Sequence, residues 1–189
     1  MGCGSGATLG VAKALGWKTS GIEVSGAAAA KARRYADELH VGDALDAPFE
    51  AGRFDVVSAF HVIEHVPDPV AVVRRMLAWL DDGGLVIIEV PNAGGLGARL
   101  FGKAWSGLEL PRHLFHFTPE TLRRLVELAG GRVVWQRQQA KPRHYIWSLR
   151  LWLGDHAESW GASWAARLTE RRAIYGVLKL ALEDRKSVV

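Results

Sequence analysis

Short apolar runs alternate with segments of helical composition along the first half of the chain. An uninterrupted β-branched run is typical of a strand that is buried on both faces, as in a parallel sheet. Residues 53–60 (RFDVVSAF) and 85–92 (LVIIEVPN) have this pattern, and the DDGG sequence before the second run predicts a turn. Two shorter strands are predicted over residues 18–24 (KTSGIEV) and 40–44 (HVGDA).

Helices are predicted between these strands. One covers residues 6–15, a second follows the N-cap Ser25 over residues 26–39, and a third runs from Pro69 to about Leu80. Alternating strands and helices predict an α/β fold with a doubly wound, mostly parallel, Rossmann-like sheet. Ligands of such a sheet collect at the carboxyl ends of its strands.

Beyond Asn92 the alternation of strands and helices is less regular. Thr118 is placed to cap a helix that has Pro119 at its first position and that ends near Gly130. A further strand is predicted over residues 132–138 (RVVWQRQ).

The two halves of the chain differ in charge and in tryptophan content. Residues 1–91 carry 8 Lys/Arg against 12 Asp/Glu, whereas residues 92–189 carry 16 against 8 and six of the eight tryptophans. Residues 144–185 read as mostly helical and rich in Trp and Arg. We therefore predict a core domain over residues 1–138 and a helical segment over residues 139–189.

Bulk properties are those of a globular protein. The 189 residues are 49% hydrophobic and 23% charged, and no apolar run reaches the ~18 residues that span a membrane. Cys3 is the only cysteine, which excludes an internal disulfide and a thiolate zinc cage. No secretory signal opens the sequence, so we expect a cytoplasmic protein.

The glycine-rich start carries the first chemical signal. Residues 2–7 (GCGSGA) satisfy G-x-G-x-x-A, and Glu23 lies about where a dinucleotide fingerprint places its ribose-binding acid. This match alone fits an NAD(P)-dependent oxidoreductase, and Glu23 could equally be a solvated acid at a strand end.

Later motifs change this picture, because they occur in one order at consistent spacing: GIEVS, GDALDAPF, RFDVVSAFHVIEHVPDP, DDGGLVIIEVPN and LPRHLFHFTPETLRRLVELAG. Together they resemble the class I S-adenosylmethionine-dependent methyltransferases, in particular the branch with the ubiquinone-biosynthesis O-methyltransferases. The resemblance covers about residues 1–135. It implies methyl transfer, by O-methylation, from S-adenosyl-L-methionine to a small-molecule acceptor. A dehydrogenase shares the loop and Glu23 but gives the later motifs no role.

The groups at these positions can bind the parts of the implied cofactor. N–H groups of the glycine loop can meet its methionine carboxylate, and Glu23 can accept hydrogen bonds from two vicinal ribose hydroxyls. In the family, Asp43 accepts from the adenine amino group. The expected cofactor contacts are Gly2, Cys3, Gly4, Gly6, Glu23, Asp43, Ala44 and Phe60.

Residues 61–65 (HVIEH) also match H-x-x-E-H, a zinc-hydrolase signature. That site needs a helix to bring both histidines to one face, and Pro67 and Pro69 argue against a long helix here.

The resemblance gives the same segment another role. In the ubiquinone-type relatives, acidic residues and a histidine after the fourth strand are associated with a divalent metal, and the matching positions are His61, Glu64 and His65. The first is a carboxylate in those relatives, and imidazole suits Mg²⁺ poorly. We therefore predict a metal-free site with His61 or His65 as the base and Glu64 orienting the imidazole. Alternatively, His65 caps the helix that follows.

Further candidates lie in the segment GKAWSGLELPRHLFHFT. His113 and His116 could face the cleft as catalytic residues, with Arg112 holding an anionic acceptor, or they could pack the loop. Trp105 could line an acceptor pocket or belong to the core.

The Trp- and Arg-rich end has several interpretations. It could be a lid for a lipophilic acceptor, a surface for anionic membrane, a nucleic-acid patch, or ordinary helices that cover the sheet. Tryptophan mixed with cations and aliphatic residues favours the first two over nucleic acid. The residues concerned are Trp147, Trp152, Trp160, Trp164, Arg143, Arg150, Arg167, Arg171 and Arg172.

The family places a buried strand before its glycine loop, ending Val-Leu-Asp-(Val or Ile)-Gly-Cys-Gly, and Met1 stands at the Val/Ile position. We expect this start to be artificial, arising from a GTG valine codon that is read as methionine at initiation. The final RKSVV resembles the start of the family's last strand, stopped short.

Overall fold

The computed structural model describes residues 1–139 and 141–155. The predictions for Trp160, Trp164, Arg167, Arg171, Arg172 and the final RKSVV lie outside these residues. The described residues form two compact units, the first with residues 1–91 and 120–134, the second with residues 92–119, 135–139 and 141–155.

The first unit contains two parallel strand pairs. β1 (Ser20–Glu23) pairs with β2 (Glu38–Val41), and β3 (Phe54–Phe60) pairs with β4 (Leu80–Glu89). The start of the chain contacts both pairs. Cys3 N–H donates to the Ile22 carbonyl at 3.0 Å, and the Met1 amino group donates to the Ser58 carbonyl at 2.7 Å. The predicted parallel α/β architecture is confirmed.

Helices alternate with these strands as predicted: α1 (Ala7–Ala14), α2 (Gly26–Ala32), α3 (Pro69–Ala78) and, later in the chain, α5 (Pro119–Leu128). Ser25 is the N-cap of α2, and its Oγ accepts a hydrogen bond from Ala28 N–H at 3.3 Å. Asp68 caps α3 in the same way, with Ala71 N–H 2.9 Å from its Oδ1.

Aromatic and aliphatic side chains form the core of this unit. Trp79, Met76 and Ile63 are fully buried. The Phe49 ring meets Trp79 edge-on at 5.7 Å and Phe54 edge-on at 5.3 Å between centroids. Such contacts add to the stabilisation from burial by about 0.5–1.5 kcal/mol each.

The prediction for α2 was wrong at its C-terminal end. The helix stops at Ala32, and the strand predicted over residues 40–44 begins earlier, at Glu38. Asp37 explains the early end, because its Oδ2 accepts from Thr19 N–H at 2.9 Å and its own N–H donates to the Thr19 carbonyl at 2.8 Å. These contacts turn the chain towards β1.

Residues 81–84 (DDGG) lie within the bounds of β4, but they do not pair with β3. Phe54 pairs with Leu80 and Val56 pairs with Leu85, so residues 81–84 form a bulge. A Cβ on Gly84 would come within 3.0 Å of the Phe54 carbonyl oxygen, which explains the need for glycine there.

The second unit contains α4 (Leu96–Phe101) and α6 (Pro142–Asp155). The predicted strand over residues 132–138 was wrong, since the structure assigns no strand there. An alternating pattern forms a strand only where a neighbouring strand completes its ladder. Trp105 is buried against Gly97 and Gly107, so of its two interpretations the core position is the correct one.

Candidate cofactor and acceptor site

The glycine loop adopts a backbone that other residues rarely tolerate. Gly2 and Gly6 have φ of 62° and 86°. An added Cβ would lie 2.4 Å from Val62 Cγ2 at Gly2 and 2.8 Å from Ala32 Cα at Gly6. At Gly4, also left-handed, an added Cβ would meet open space. The loop is therefore packed on two sides and open at its centre.

Glu23 ends β1 beside this loop. Its Oε2 accepts from Gly4 N–H at 2.7 Å, and its Oε1 accepts from Ser25 N–H at 3.0 Å. The residue is only 9% exposed, so these two bonds hold the carboxylate in one place. A carboxylate has about four acceptor positions, which leaves capacity for two hydroxyl groups.

Asp43 follows β2 and is exposed. Its Oδ1 accepts from Leu45 N–H at 2.8 Å, which fixes the carboxylate over the start of the next loop. It borders a cleft of about 220 Å³ whose lining is Asp43, Leu45, Asp46, Val66, Pro67, Asp68 and Val72. This volume is below the about 300–1,000 Å³ of pockets that hold drug-sized ligands.

The other expected cofactor contacts differ in exposure. Ala44 is buried next to Asp43, whereas Phe60 is partly exposed at the end of β3. Cys3 is half-buried, and burial raises the pKa of its thiol above the ordinary value.

His61 stands between two carboxylates. Its Nδ1 lies 3.3 Å from Glu64 Oε1 and its Nε2 lies 3.0 Å from Glu89 Oε1. Glu64 is buried, with 1% exposure, while the side chains of His61 and Glu89 are 39% and 37% exposed. The predicted pairing of Glu64 with an imidazole is therefore present in the geometry, and the Nε2 side is the one that solvent reaches.

His61 also has a left-handed backbone, with φ of 55°. A non-glycine residue in this conformation costs free energy, of order 1–3 kcal/mol, and such residues cluster at functional sites. The bond from His61 N–H to the Glu89 carbonyl, at 2.9 Å, helps to hold it.

His65 ends a 3₁₀ turn over Ile63–His65. The helix cap that could have been its structural role belongs to Asp68. The zinc-hydrolase alternative was wrong, because one short turn cannot place His61 and His65 on the same helical face.

The side chains of His113 and His116 each contact a backbone carbonyl group in one loop of the second unit. Nδ1 of the buried His113 is 2.8 Å from the Gly107 carbonyl oxygen, and its Nε2 is 3.3 Å from Glu109 Oε2. Nε2 of the exposed His116 is 2.9 Å from the Leu108 carbonyl oxygen. These contacts support the loop-packing interpretation. The Arg112 guanidinium pairs with Glu109 at 2.6 Å.

Sequence reasoning missed Glu89. A carboxylate that ends the apolar run LVIIE, at the carboxyl end of a strand, was the available signal. Its partner could not be read from the sequence, because 28 positions separate it from His61.

Parallel strands, a glycine loop, a fixed acid after β1 and a second acid after β2 define a Rossmann-like protein with a site for an adenosine-containing cofactor. The acceptor groups present fit S-adenosylmethionine, because the Glu23 carboxylate keeps acceptor capacity for a ribose diol and the Asp43 carboxylate borders a cleft beyond the end of β2.

More narrowly, residues 1–136 match the methyltransferase domain family, and the chain belongs to it. A ubiquinone biosynthesis O-methyltransferase of Methylobacterium nodulans is 34% identical over 149 residues, 71% of this chain and 59% of that protein. Ajmaline N-methyltransferase of Rauvolfia serpentina is 38% identical over 97 residues, 47% of this chain and 33% of that protein.

A solved structure gives the same result. The S-adenosylmethionine-dependent methyltransferase of Thermotoga maritima, described as a possible histamine N-methyltransferase, aligns with a TM-score of 0.57 and 25% identity. The alignment covers 69% of this chain and 60% of that one. The predicted family, fold and S-adenosylmethionine cofactor are thereby confirmed, and the dehydrogenase alternative is set aside.

The chain spans about one third to three fifths of the curated relatives it matches. Those relatives include both N- and O-methyltransferases.

Proposed function

We propose that this protein transfers the methyl group of S-adenosylmethionine to a hydroxyl group of a lipophilic small molecule. The observation that carries the proposal is the Glu23 carboxylate, held by Gly4 N–H and Ser25 N–H beside the glycine loop. The cofactor supplies a sulfonium methyl group for in-line displacement, and positioning of the acceptor accounts for much of the acceleration.

The proposed base is His61. Its Nε2 is the nitrogen that an acceptor can approach, because Glu89 on that side is partly exposed while Glu64 on the Nδ1 side is buried. The acceptor hydroxyl replaces the Glu89 contact and gives its proton to Nε2. Glu64 then accepts a hydrogen bond from Nδ1–H and stabilises the imidazolium. His65, three positions beyond Val62 in the same turn, is the second candidate for the base.

The carboxylates near His61 affect which charge the acceptor can carry. Glu64 and Glu89 place two carboxylates around one imidazole, which disfavours an anionic acceptor by like-charge repulsion. Of the lipophilic and anionic acceptors that the sequence leaves open, we propose the lipophilic one.

N-methylation is the second candidate, because the ajmaline N-methyltransferase shares 38% identity over residues that cover 47% of the chain. An amine is nucleophilic without loss of a proton, so a base such as His61 favours the hydroxyl.

Calorimetry with S-adenosylhomocysteine tests the cofactor site. Glu23→Ala should weaken binding about 5- to 150-fold, the equivalent of about 1–3 kcal/mol for unpaired polar groups. Glu50→Ala, at an exposed glutamate, is the matched control and should leave affinity unchanged. Equal affinity of Glu23→Ala and wild type would remove Glu23 from the site. Labelled S-adenosylmethionine with phenols, quinols and amines then distinguishes O- from N-methylation.

A further inference from the structure

Val62 packs against the glycine loop. A Cβ added at Gly2 would lie 2.4 Å from Val62 Cγ2 and 3.6 Å from Val62 Cβ, so the valine side chain occupies the space that a side chain at Gly2 would need. Val62 directly follows His61 in the chain. One side chain therefore links the loop assigned to the cofactor with the turn that carries the proposed base.

Hydrogen bonds fix the backbone on both sides of Val62. Its carbonyl accepts from His65 N–H at 3.0 Å, which closes the 3₁₀ turn over Ile63–His65. Before it, His61 N–H donates to the Glu89 carbonyl at 2.9 Å. A displacement of Val62 is therefore passed on to His61.

The valine side chain and the loop also have little freedom. Two γ-carbons on Cβ restrict rotation of valine about χ1, so Val62 Cγ2 keeps its place relative to the backbone. In the loop, Gly4 N–H donates to Glu23 Oε2 at 2.7 Å. The contacts thus form a continuous series from Glu23 through the glycine loop and Val62 to His61.

We infer that Val62 is a positioning residue for methyl transfer, whose side chain sets the distance between the glycine loop and the His61 imidazole. The inference rests on the proposed function, in which His61 is the base. In-line displacement requires the acceptor oxygen to meet the methyl group and the base together, and a misplacement of about 1 Å can cost ~10²-fold in rate. Glu64 and Glu89 orient the ring, and Val62 fixes its distance from the loop.

Nuclear magnetic resonance of the full chain with ¹³C-labelled histidine tests the coupling without an acceptor. The His61 Cε1–H resonance is assigned by its absence in His61→Ala, and saturating S-adenosylhomocysteine should shift it in the wild type. Val62→Ala removes both γ-carbons, and Val62→Leu keeps apolar volume while moving the branch point away from Cβ. Both should reduce that shift at least about twofold, whereas Val62→Thr, which keeps two γ-atoms on Cβ, should retain it.

Single-turnover methyl transfer to phenols and quinols gives the second measurement. Val62→Ala and Val62→Leu should lower the rate about 10- to 100-fold while calorimetric affinity for S-adenosylhomocysteine stays within about twofold, and Val62→Thr should keep the wild-type rate. Val70→Ala is the matched control, since Val70 is also a half-buried valine of the first unit, in α3. It should lower stability towards urea without changing the His61 shift or the rate.

An unshifted His61 resonance in the wild type, or a full shift in both Val62→Ala and Val62→Leu, would overturn the inference. An equal loss in Val70→Ala would show that Val62 contributes only to stability, and a loss of affinity as large as the loss of rate would assign it to binding. Absence of methyl transfer to phenols and quinols by the wild type would contradict the proposed function instead, and the His61 resonance would then decide the role of Val62 alone.

Discussion

His61 and Glu89 are joined twice. The His61 N–H donates to the Glu89 carbonyl at 2.9 Å, and His61 Nε2 lies 3.0 Å from Glu89 Oε1. The first contact fixes the backbone of His61 at the end of β3, and the second fixes its ring against the end of β4. Two parallel strands thereby hold one imidazole at their shared carboxyl edge.

If His61 is the base, His61→Ala should lower single-turnover methyl transfer by ~10²–10⁴ while leaving S-adenosylhomocysteine affinity unchanged. The wild-type rate should rise as pH increases, because only the neutral imidazole accepts a proton, and it should not change with EDTA. His65→Ala tests the second candidate in the same assay. Wild-type rates and pH profiles in both variants would show that neither histidine is the base.

Glu89→Gln should move the rising limb of the pH profile to lower pH. An ionised carboxylate beside an imidazole favours its protonated form, so removal of that charge lets the ring release its proton earlier. The measurement is the single-turnover rate across pH, with Glu50→Gln at an exposed site as the control. An unchanged profile in Glu89→Gln would show that the 3.0 Å contact has no influence on the proton acceptor.

Asp37 predicts an acid-sensitive contribution to stability. Its pKa lies below the ordinary value of 3.8, chiefly because of the hydrogen bond from the Lys13 ammonium and also because of Thr19 N–H. A lowered pKa means that the stabilisation is present above the ordinary value and is lost as pH falls through the folded-state value. Asp37→Asn should therefore reduce the free energy of unfolding in urea at neutral pH.

The same variant should match wild type in strong acid. Asp55→Asn is the control, since Asp55 is also exposed and belongs to a strand of the same unit. An equal loss at neutral and at acid pH would show that Asp37 acts by packing and not by its charge.

Cys3 offers a direct report on the cofactor loop. Burial raises the pKa of its thiol, so less thiolate is present near neutral pH and a thiol reagent should modify it more slowly than a free cysteine. S-adenosylhomocysteine should slow the reaction further. Since Cys3 is the only cysteine, incorporated label counts this site alone. Equal labelling with and without the ligand would place the ligand away from Cys3.

Local sequence patterns were sufficient to predict some parts of the structure. The buried runs that became β3 and β4, the Ser25 cap, and the position of Glu23 after β1 could be predicted, because each depends on neighbouring residues or on the spacing of one βαβ unit. These features position the proposed cofactor site.

Other features depend on residues far apart in sequence. The early end of α2 follows from bonds between Asp37 and Thr19, and the position of Glu89 beside His61 follows from the pairing of β3 with β4. Residues 132–138 have the composition of a strand but no ladder among the described residues. Propensity could not decide these cases, because tertiary contacts outweigh it.

The bulge at residues 81–84 divides the pairing of β4 with β3 into two parts. Leu80 is paired with Phe54 before the bulge, and the ladder from Leu85 to Glu89 runs without interruption after it. A slip of one residue in that ladder would turn the Glu89 side chain to the opposite face of the sheet. Because the extra residues are taken up in the bulge, the ladder after it keeps Glu89 opposite Phe60.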